Sequence, residues 1–188
     1  MAEPFDDPDW LFELKYDGFR AMAYIQNGKA ALISRKGDRY ESFETLRTQL
    51  GLLRHDTILD GEIAVLDQHG RPQFNDLLRR SGEPIFYAFD CLWLDGRDLR
   101  NLPLLVRKGI LEGIITADSL LMYAGHVETR GIELFQQACE LDLEGVVCKH
   151  KSSPYASDEL PWMKVLNPNY SQRERRRERL NNRRPESG

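Results

Sequence analysis

The chain is poor in the residues that build metal centres and disulfide frameworks. Its three cysteines, Cys91, Cys139 and Cys148, are odd in number and far apart, and its four histidines, His55, His69, His126 and His150, are equally scattered. No zinc-type ligand spacing results, and free thiols in a reducing compartment are expected. No apolar run approaches the roughly 20 residues that a membrane span requires. Met1-Ala2-Glu3-Pro4 does not read as a signal peptide, so a cytoplasmic protein with no membrane partner is expected. There is no glycine-rich turn between a strand and a helix, which argues against a Rossmann fold. Internal repeats and low-complexity blocks are also missing from the first 170 residues.

The 188 residues suffice for one full domain, with 41% hydrophobic and 30% charged residues in the proportions of a globular protein. The net charge of −4 is unevenly placed. Residues 171–188 carry seven arginines against three glutamates, leaving the preceding 170 residues at −8. An acidic body with a basic end fits nucleic-acid contact at that end, and equally a solvated charged helix or a disordered terminus.

Residues 10–16 and 19–25 read as strands. Asn27-Gly28 is a two-residue hairpin signal returning the chain into residues 29–34. Phe43, Leu46, Leu50 and Leu53 recur at helical spacing within residues 41–53, with Ser42 as the expected cap. A strand over 57–66, interrupted at Asp60-Gly61-Glu62, is followed by a short helix near 74–80 and a long aromatic strand over 84–94. Helices are expected at 104–111 and 131–141, and strands at 120–124, 146–149 and 162–166. Many strands and few helices, joined mainly by hairpins, predict an α+β fold of mainly antiparallel sheets flanked by helices.

Five blocks carry the chemistry. They are Glu13-Leu14-Lys15-Tyr16-Asp17-Gly18-Phe19-Arg20; Ser34-Arg35-Lys36-Gly37; Leu59-Asp60-Gly61-Glu62-Ile63; the run from Phe86 to Gly96; and Glu144-Gly145-Val146-Val147-Cys148-Lys149 with Trp162-Met163-Lys164. Together they supply an amine nucleophile, several cations, two separated carboxylates and an aromatic beside a carboxylate. Cations neutralise phosphate, carboxylates hold a divalent metal, and an aromatic ring offers a face to a base, so the set suits nucleotidyl transfer. Singly, each residue also has an ordinary place on a strand edge or in a core. Their joint occurrence in this order does not reduce to that.

The blocks resemble the nucleotidyltransferase motifs of ATP-dependent DNA ligases over residues 10–166. They are most similar to the ligase (adenylation) domain of bacterial end-joining DNA ligases, particularly at residues 89–99 and Leu102-Pro103-Leu104. The resemblance implies an ATP-grasp-like adenylation domain at residues 1–168 and an Arg-rich tail at 169–188. By the same resemblance Lys15 attacks the α-phosphate of ATP and holds AMP as a phosphoramide, while Glu13 and Leu14 lie against adenine through backbone groups. Arg20 contacts phosphate or ribose, Glu62 the ribose and metal region, and Phe89 stacks on adenine. Glu144 helps to bind Mg²⁺ (or Mn²⁺), Lys149 and Lys164 clamp phosphates, and Arg35 faces the 5′-phosphate of nicked double-stranded DNA. Asp17 and Asp60 order the site rather than react.

Lys-x-Asp-Gly is shared with RNA ligases and GTP-using capping-type transferases, but the Phe-Asp-x-Leu-x-Leu-Asp-Gly pattern of the fourth block favours DNA ligase. The sequence departs from the family pattern twice. Leu166 stands where a second lysine, separated from Lys164 by one residue, is usual. No OB-fold fits into the 22 residues after Leu166, since five strands of about five or six residues are needed. An isolated catalytic domain or a minimal ligase is therefore expected, with a separate protein as one source of the missing OB-fold function. Both departures also suit a non-catalytic nucleotide- or DNA-binding module. Lys15 in the company of Arg20, Glu62, Glu144 and Lys149 does not.

Overall fold

The computed structural model describes residues 2–115, 120–155 and 162–173. The chain runs through β1 (Asp7–Leu14), β2 (Phe19–Gln26), β3 (Lys29–Ser34), α1 (Glu44–Leu50), β4 (Thr57–Val65), α2 (Phe74–Arg79) and β5 (Pro84–Leu94). It continues through β6 (Arg97–Asp98), α3 (Leu104–Ile114), β7 (Leu121–Tyr123), β8 (His126–Thr129), α4 (Gly131–Glu140), β9 (Gly145–His150) and β10 (Met163–Leu166). Among the described residues the strands form two sheets. One has the order β10-β9-β1-β8; the other runs β3-β2-β4-β5-β6, with β7 also pairing β5. All pairings are antiparallel except β5 with β7, where α3 makes the crossover.

Period-two alternation sets which face of β2 is buried. Ala21, Ala23 and Ile25 enter the larger core, whereas Arg20, Met22 and Tyr24 face the other way. That core gathers Leu46 and Leu50 of α1, Leu77 of α2 and Leu111 and Ile114 of α3 beneath the six-stranded sheet. A second, smaller core packs Phe12, Val146, Cys148 and Val165 of the four-stranded sheet against Ala138 of α4. The expected hairpin at Asn27-Gly28 forms, with both residues at positive φ and Gln26 opposite Lys29.

Three local expectations are corrected. The helix near 41–53 is shorter, and Ser42 does not cap it: Phe43 occupies the cap without a side-chain hydrogen bond. Its buried ring packs edge-on against Phe19 and Tyr40, so core burial rather than capping fixes the start. β4 is not interrupted at Asp60-Gly61-Glu62; the irregularity is a shift of register against β5 at Ile58/Leu59 and Asp60/Gly61. β8, not expected from the sequence, is a short edge strand whose residues show no clear apolar alternation. Among the described residues no helix is long and apolar enough to cross a membrane, and Cys91, Cys139 and Cys148 are free thiols.

α3 is joined to the sheets by buried charge. Arg107 lies on the buried face of the helix with Leu104, Lys108 and Leu111, and grips Asp90 of β5 through two bonds of 2.7 and 2.9 Å. Burial pushes the Asp90 carboxyl up, and the guanidinium opposes it. Replacing Arg107 by Met strands that carboxylate and is expected to cost about 3–5 kcal/mol in urea unfolding. The Asp90→Leu/Arg107→Met pair should regain most of the loss, whereas equal losses in the single and double variants would show the pair to be energetically idle.

Candidate active site

Lys15-Tyr16-Asp17-Gly18 carries the chain from one sheet to the other, and the cleft between the sheets opens at this crossing. The Lys15 N–H donates to the Gly145 carbonyl at 2.9 Å, which continues the β1–β9 ladder by one rung. Gly18 is required by close approach, since a Cβ there would lie 2.1 Å from the Ile63 carbonyl oxygen. The crossing is thus pressed onto β4, and Asp17, buried at its centre, accepts the Tyr170 hydroxyl at 3.2 Å.

The cleft has a volume of about 490 Å³, within the usual range for ligand pockets. Glu13, Leu14, Lys15, Arg20, Arg35, Glu62, Phe89, Lys149 and Lys164 all line it, so nine of the ten site residues expected from the sequence share one cavity. The tenth, Glu144, adjoins it and accepts the Lys15 Nζ at 2.6 Å. Leu166 does not line the cleft. It lines a small neighbouring cavity with Glu144, Asn167, Tyr170 and Arg173.

Each charged group has a structural cause for its position. Arg20 on β2 is held by Asp60 on β4 through bonds of 3.0 and 2.6 Å, and the Tyr155 hydroxyl donates to the same carboxylate at 2.9 Å. The guanidinium sits 5.0 Å from the Trp162 ring and 5.7 Å from that of Phe89. Lys149 Nζ lies against the same two rings, at 4.4 Å from Phe89 and 4.1 Å from Trp162, and donates to Glu13 Oε2 at 2.5 Å. Burial lowers the Lys164 ammonium, and Lys15, Arg35 and Arg20 reinforce the shift, as expected where four cations converge. Burial pushes Glu62 up to about 8. Glu144 and Asp17 add to that rise while Lys15 and Arg20 oppose it.

The sequence reading missed the partner of Glu13. Its side chain does more than its backbone: the buried carboxylate is held between Lys149 and Lys108, with Lys108 Nζ at 2.6 Å from Oε1. Burial alone would raise Glu13, but the two lysines outweigh it and keep the carboxyl below its ordinary range. Lys108 was detectable in principle. It shares the apolar stripe of α3 with Leu104 and Leu111, where a charged residue signals a buried partner. Trp162, quoted in a motif but given no role, proves to be a cleft wall standing edge-on to Phe89 at 5.4 Å.

Two mainly antiparallel sheets around a cleft that combines a lysine with converging cations and aromatic walls define a nucleotidyltransferase domain of the ligase type. The chain belongs to the ATP-dependent DNA ligase domain family, which residues 2–165 match. The multifunctional non-homologous end joining protein LigD of Pseudomonas aeruginosa is 36% identical over 160 residues, covering 79% of this chain and 19% of that protein. The SPbeta prophage-derived DNA ligase-like protein LigB of Bacillus subtilis is 30% identical over 180 residues, covering 92% and 66% respectively. The chain thus spans about a fifth of the length of the LigD relative. Among solved structures, mycobacterial DNA ligase D complexed with ATP and MES superposes with a TM-score of 0.77 at 30% identity, covering 86% of this chain and 56% of that one. The ligase domain of Mycobacterium tuberculosis LigD gives 0.78 at 30% identity, covering 86% and 55%.

The raised Glu62 carboxyl has a consequence for stability. Between its ordinary value of 4.5 and about 8, the folded protein retains a proton that the unfolded chain has released. The unfolded state therefore binds fewer protons in that window, and this group's contribution to stability falls as pH rises through it. Glu62→Gln should raise the melting temperature at pH 8.5 and leave it nearly unchanged at pH 4.5. A variant that melts lower at pH 8.5 would show Glu62 to be a net stabiliser there.

Proposed function

We propose that this chain is an ATP-dependent DNA ligase catalytic domain that works in the cytoplasm on nicked double-stranded DNA. The observation that carries the reading is the placement of Lys15 in the cleft, bonded to Glu144 and surrounded by Arg20, Arg35, Lys149 and Lys164. In the first step the Lys15 amine bonds to the α-phosphorus of ATP, the bond from that phosphorus to the β-phosphate oxygen breaks, and pyrophosphate leaves. Glu144, which already accepts a hydrogen bond from Lys15, would take the proton that the amine gives up. An oxygen of the DNA 5′-phosphate next displaces Lys15 from the AMP phosphorus. The 3′-hydroxyl across the nick then attacks the activated 5′-phosphate and expels AMP.

The adenosine half suits the aromatic part of the cleft, where Phe89 presents a ring and Glu13 is fixed by two lysines. The phosphates suit the converging cations, and Arg35, an exposed cation after β3 at the cleft, is assigned to the incoming 5′-phosphate. Glu144, and Glu62 once its raised carboxyl has lost its proton, would hold a Mg²⁺ (or Mn²⁺) ion: Mg²⁺ commonly takes one or two carboxylates and completes its shell with substrate phosphates and water. When bound, the ion would neutralise triphosphate charge as pyrophosphate leaves.

Incubation with α-labelled ATP and Mg²⁺ should yield label that survives denaturation and is lost in Lys15→Ala. Wild-type protein that stays unlabelled, yet binds nicked DNA, would favour a non-catalytic binding module. Arg35→Ala should form lysyl-AMP at the wild-type rate but seal nicks at least about tenfold more slowly, the order expected for losing one charge-assisted phosphate contact. A fall in both steps would place Arg35 at the nucleotide instead. The Arg-rich tail, whose residues 174–188 lie outside the described part, is proposed to add DNA-backbone affinity. Removing residues 174–188 should flatten the salt dependence of DNA binding, and an unchanged slope would remove that role.

A further inference from the structure

We infer that Lys108, outside the cleft, is a positioning residue that keeps the Lys149 ammonium available to a phosphate anion by sharing the charge of Glu13. The inference rests on the nucleotidyl-transfer reading and extends it to a residue that no substrate can touch. Lys108 is fully buried on α3 and does not line the cleft. Its ammonium donates to Glu13 Oε1 at 2.6 Å, to the Ala124 carbonyl at 2.9 Å and to the Phe89 carbonyl at 3.4 Å. Three donors meet three acceptors, so its hydrogen-bonding capacity is spent inside the protein. Those acceptors belong to β1 in one sheet and to β5 and the end of β7 in the other, and all three residues line the cleft.

The pairing has an electrostatic result. Glu13 offers one carboxylate to two ammonium groups, of which Lys149 alone reaches the cleft. With Lys149 as its sole partner at 2.5 Å, Glu13 would close a neutral pair and cancel most of the lysine's field in a space from which water is largely excluded. With Lys108 present, the three groups together keep one positive charge, and Lys149, itself buried, is the lysine of the triad that lines the cleft. Lys108 also ties Glu13 to the carbonyls of Phe89 and Ala124, so each oxygen of the carboxylate is committed to a different lysine.

This predicts that phosphate affinity follows the net charge of the triad rather than the number of intact contacts. Lys108→Met leaves a neutral pair and should bind inorganic pyrophosphate about tenfold more weakly by calorimetry, the order expected for one charged hydrogen bond, with adenosine affinity changed less than about threefold. Lys108→Met/Glu13→Gln restores a single positive charge and should return pyrophosphate affinity to within about threefold of wild type, a non-additive cycle. Lys108→Arg keeps the charge and should also bind pyrophosphate like wild type. A structural role alone predicts that the double variant is no better than Lys108→Met and that adenosine and pyrophosphate are lost together; either result overturns the proposal. Should Lys108→Met fail to fold, the double variant measured against wild type decides, because equal affinity supports charge sharing and a tenfold loss rejects it. Wild-type protein that binds no pyrophosphate also rejects it. Lysyl-AMP formation, assayed in parallel, tests the ligase reading independently, so one can fail while the other stands.

Discussion

A nucleotide cleft has to stay open, so the space between the two sheets cannot be filled with apolar side chains. The two large apolar clusters accordingly lie away from it, one beneath each sheet, and a small cluster of Ala64, Tyr87 and Ala124 sits between them. What joins the halves around the cleft is largely polar. Glu13 of the first sheet meets Lys108, which is anchored to the second, and Asp17 on the crossing accepts Tyr170 from the segment after β10. Buried ions are costly unless paired and hydrogen-bonded, so each such contact tolerates little displacement. The precision of the site and the polarity of the seam have one origin.

The fold was legible where a short-range physical rule dominates. The Asn27-Gly28 turn, the alternation of β2 and the long apolar β5 all follow from local stereochemistry and from one buried face. It was illegible where a distant contact decides. Ser42 has the chemistry of a cap, yet the helix begins at the buried Phe43 because a ring in the core is worth more than one hydrogen bond to an exposed hydroxyl. β8 owes its existence to the open edge of β1, to which its own residues give little clue.

The site divides in the same way. Lys15, Arg20, Glu62, Glu144, Lys149 and Lys164 come from ordered motifs, and the structure brings them to one cleft and its rim. Their counter-charges were harder to read. Asp60 was expected to order the site and does so by holding Arg20. Asp90 and Arg107 emerge only with the packing of α3, as does Lys108, because which buried carboxylate a helix lysine meets depends on the angle at which the helix crosses the sheets. Leu166 itself borders a small neighbouring cavity that it shares with Glu144, rather than the cleft.

The strand order carries a consequence for how the molecule is made. β2 to β7 form the six-stranded sheet from one continuous stretch, whereas β1 pairs with β8 and β9, whose residues arrive more than a hundred positions later. Contacts so distant in sequence close slowly, and a chain emerging from the ribosome cannot form them until its partners exist. The larger sheet has all its strands early, while the amino-terminal strand waits. Lys15, at the end of that strand, therefore reaches its working position only when β9 is in place, so chemical competence arrives with the completion of folding and not before.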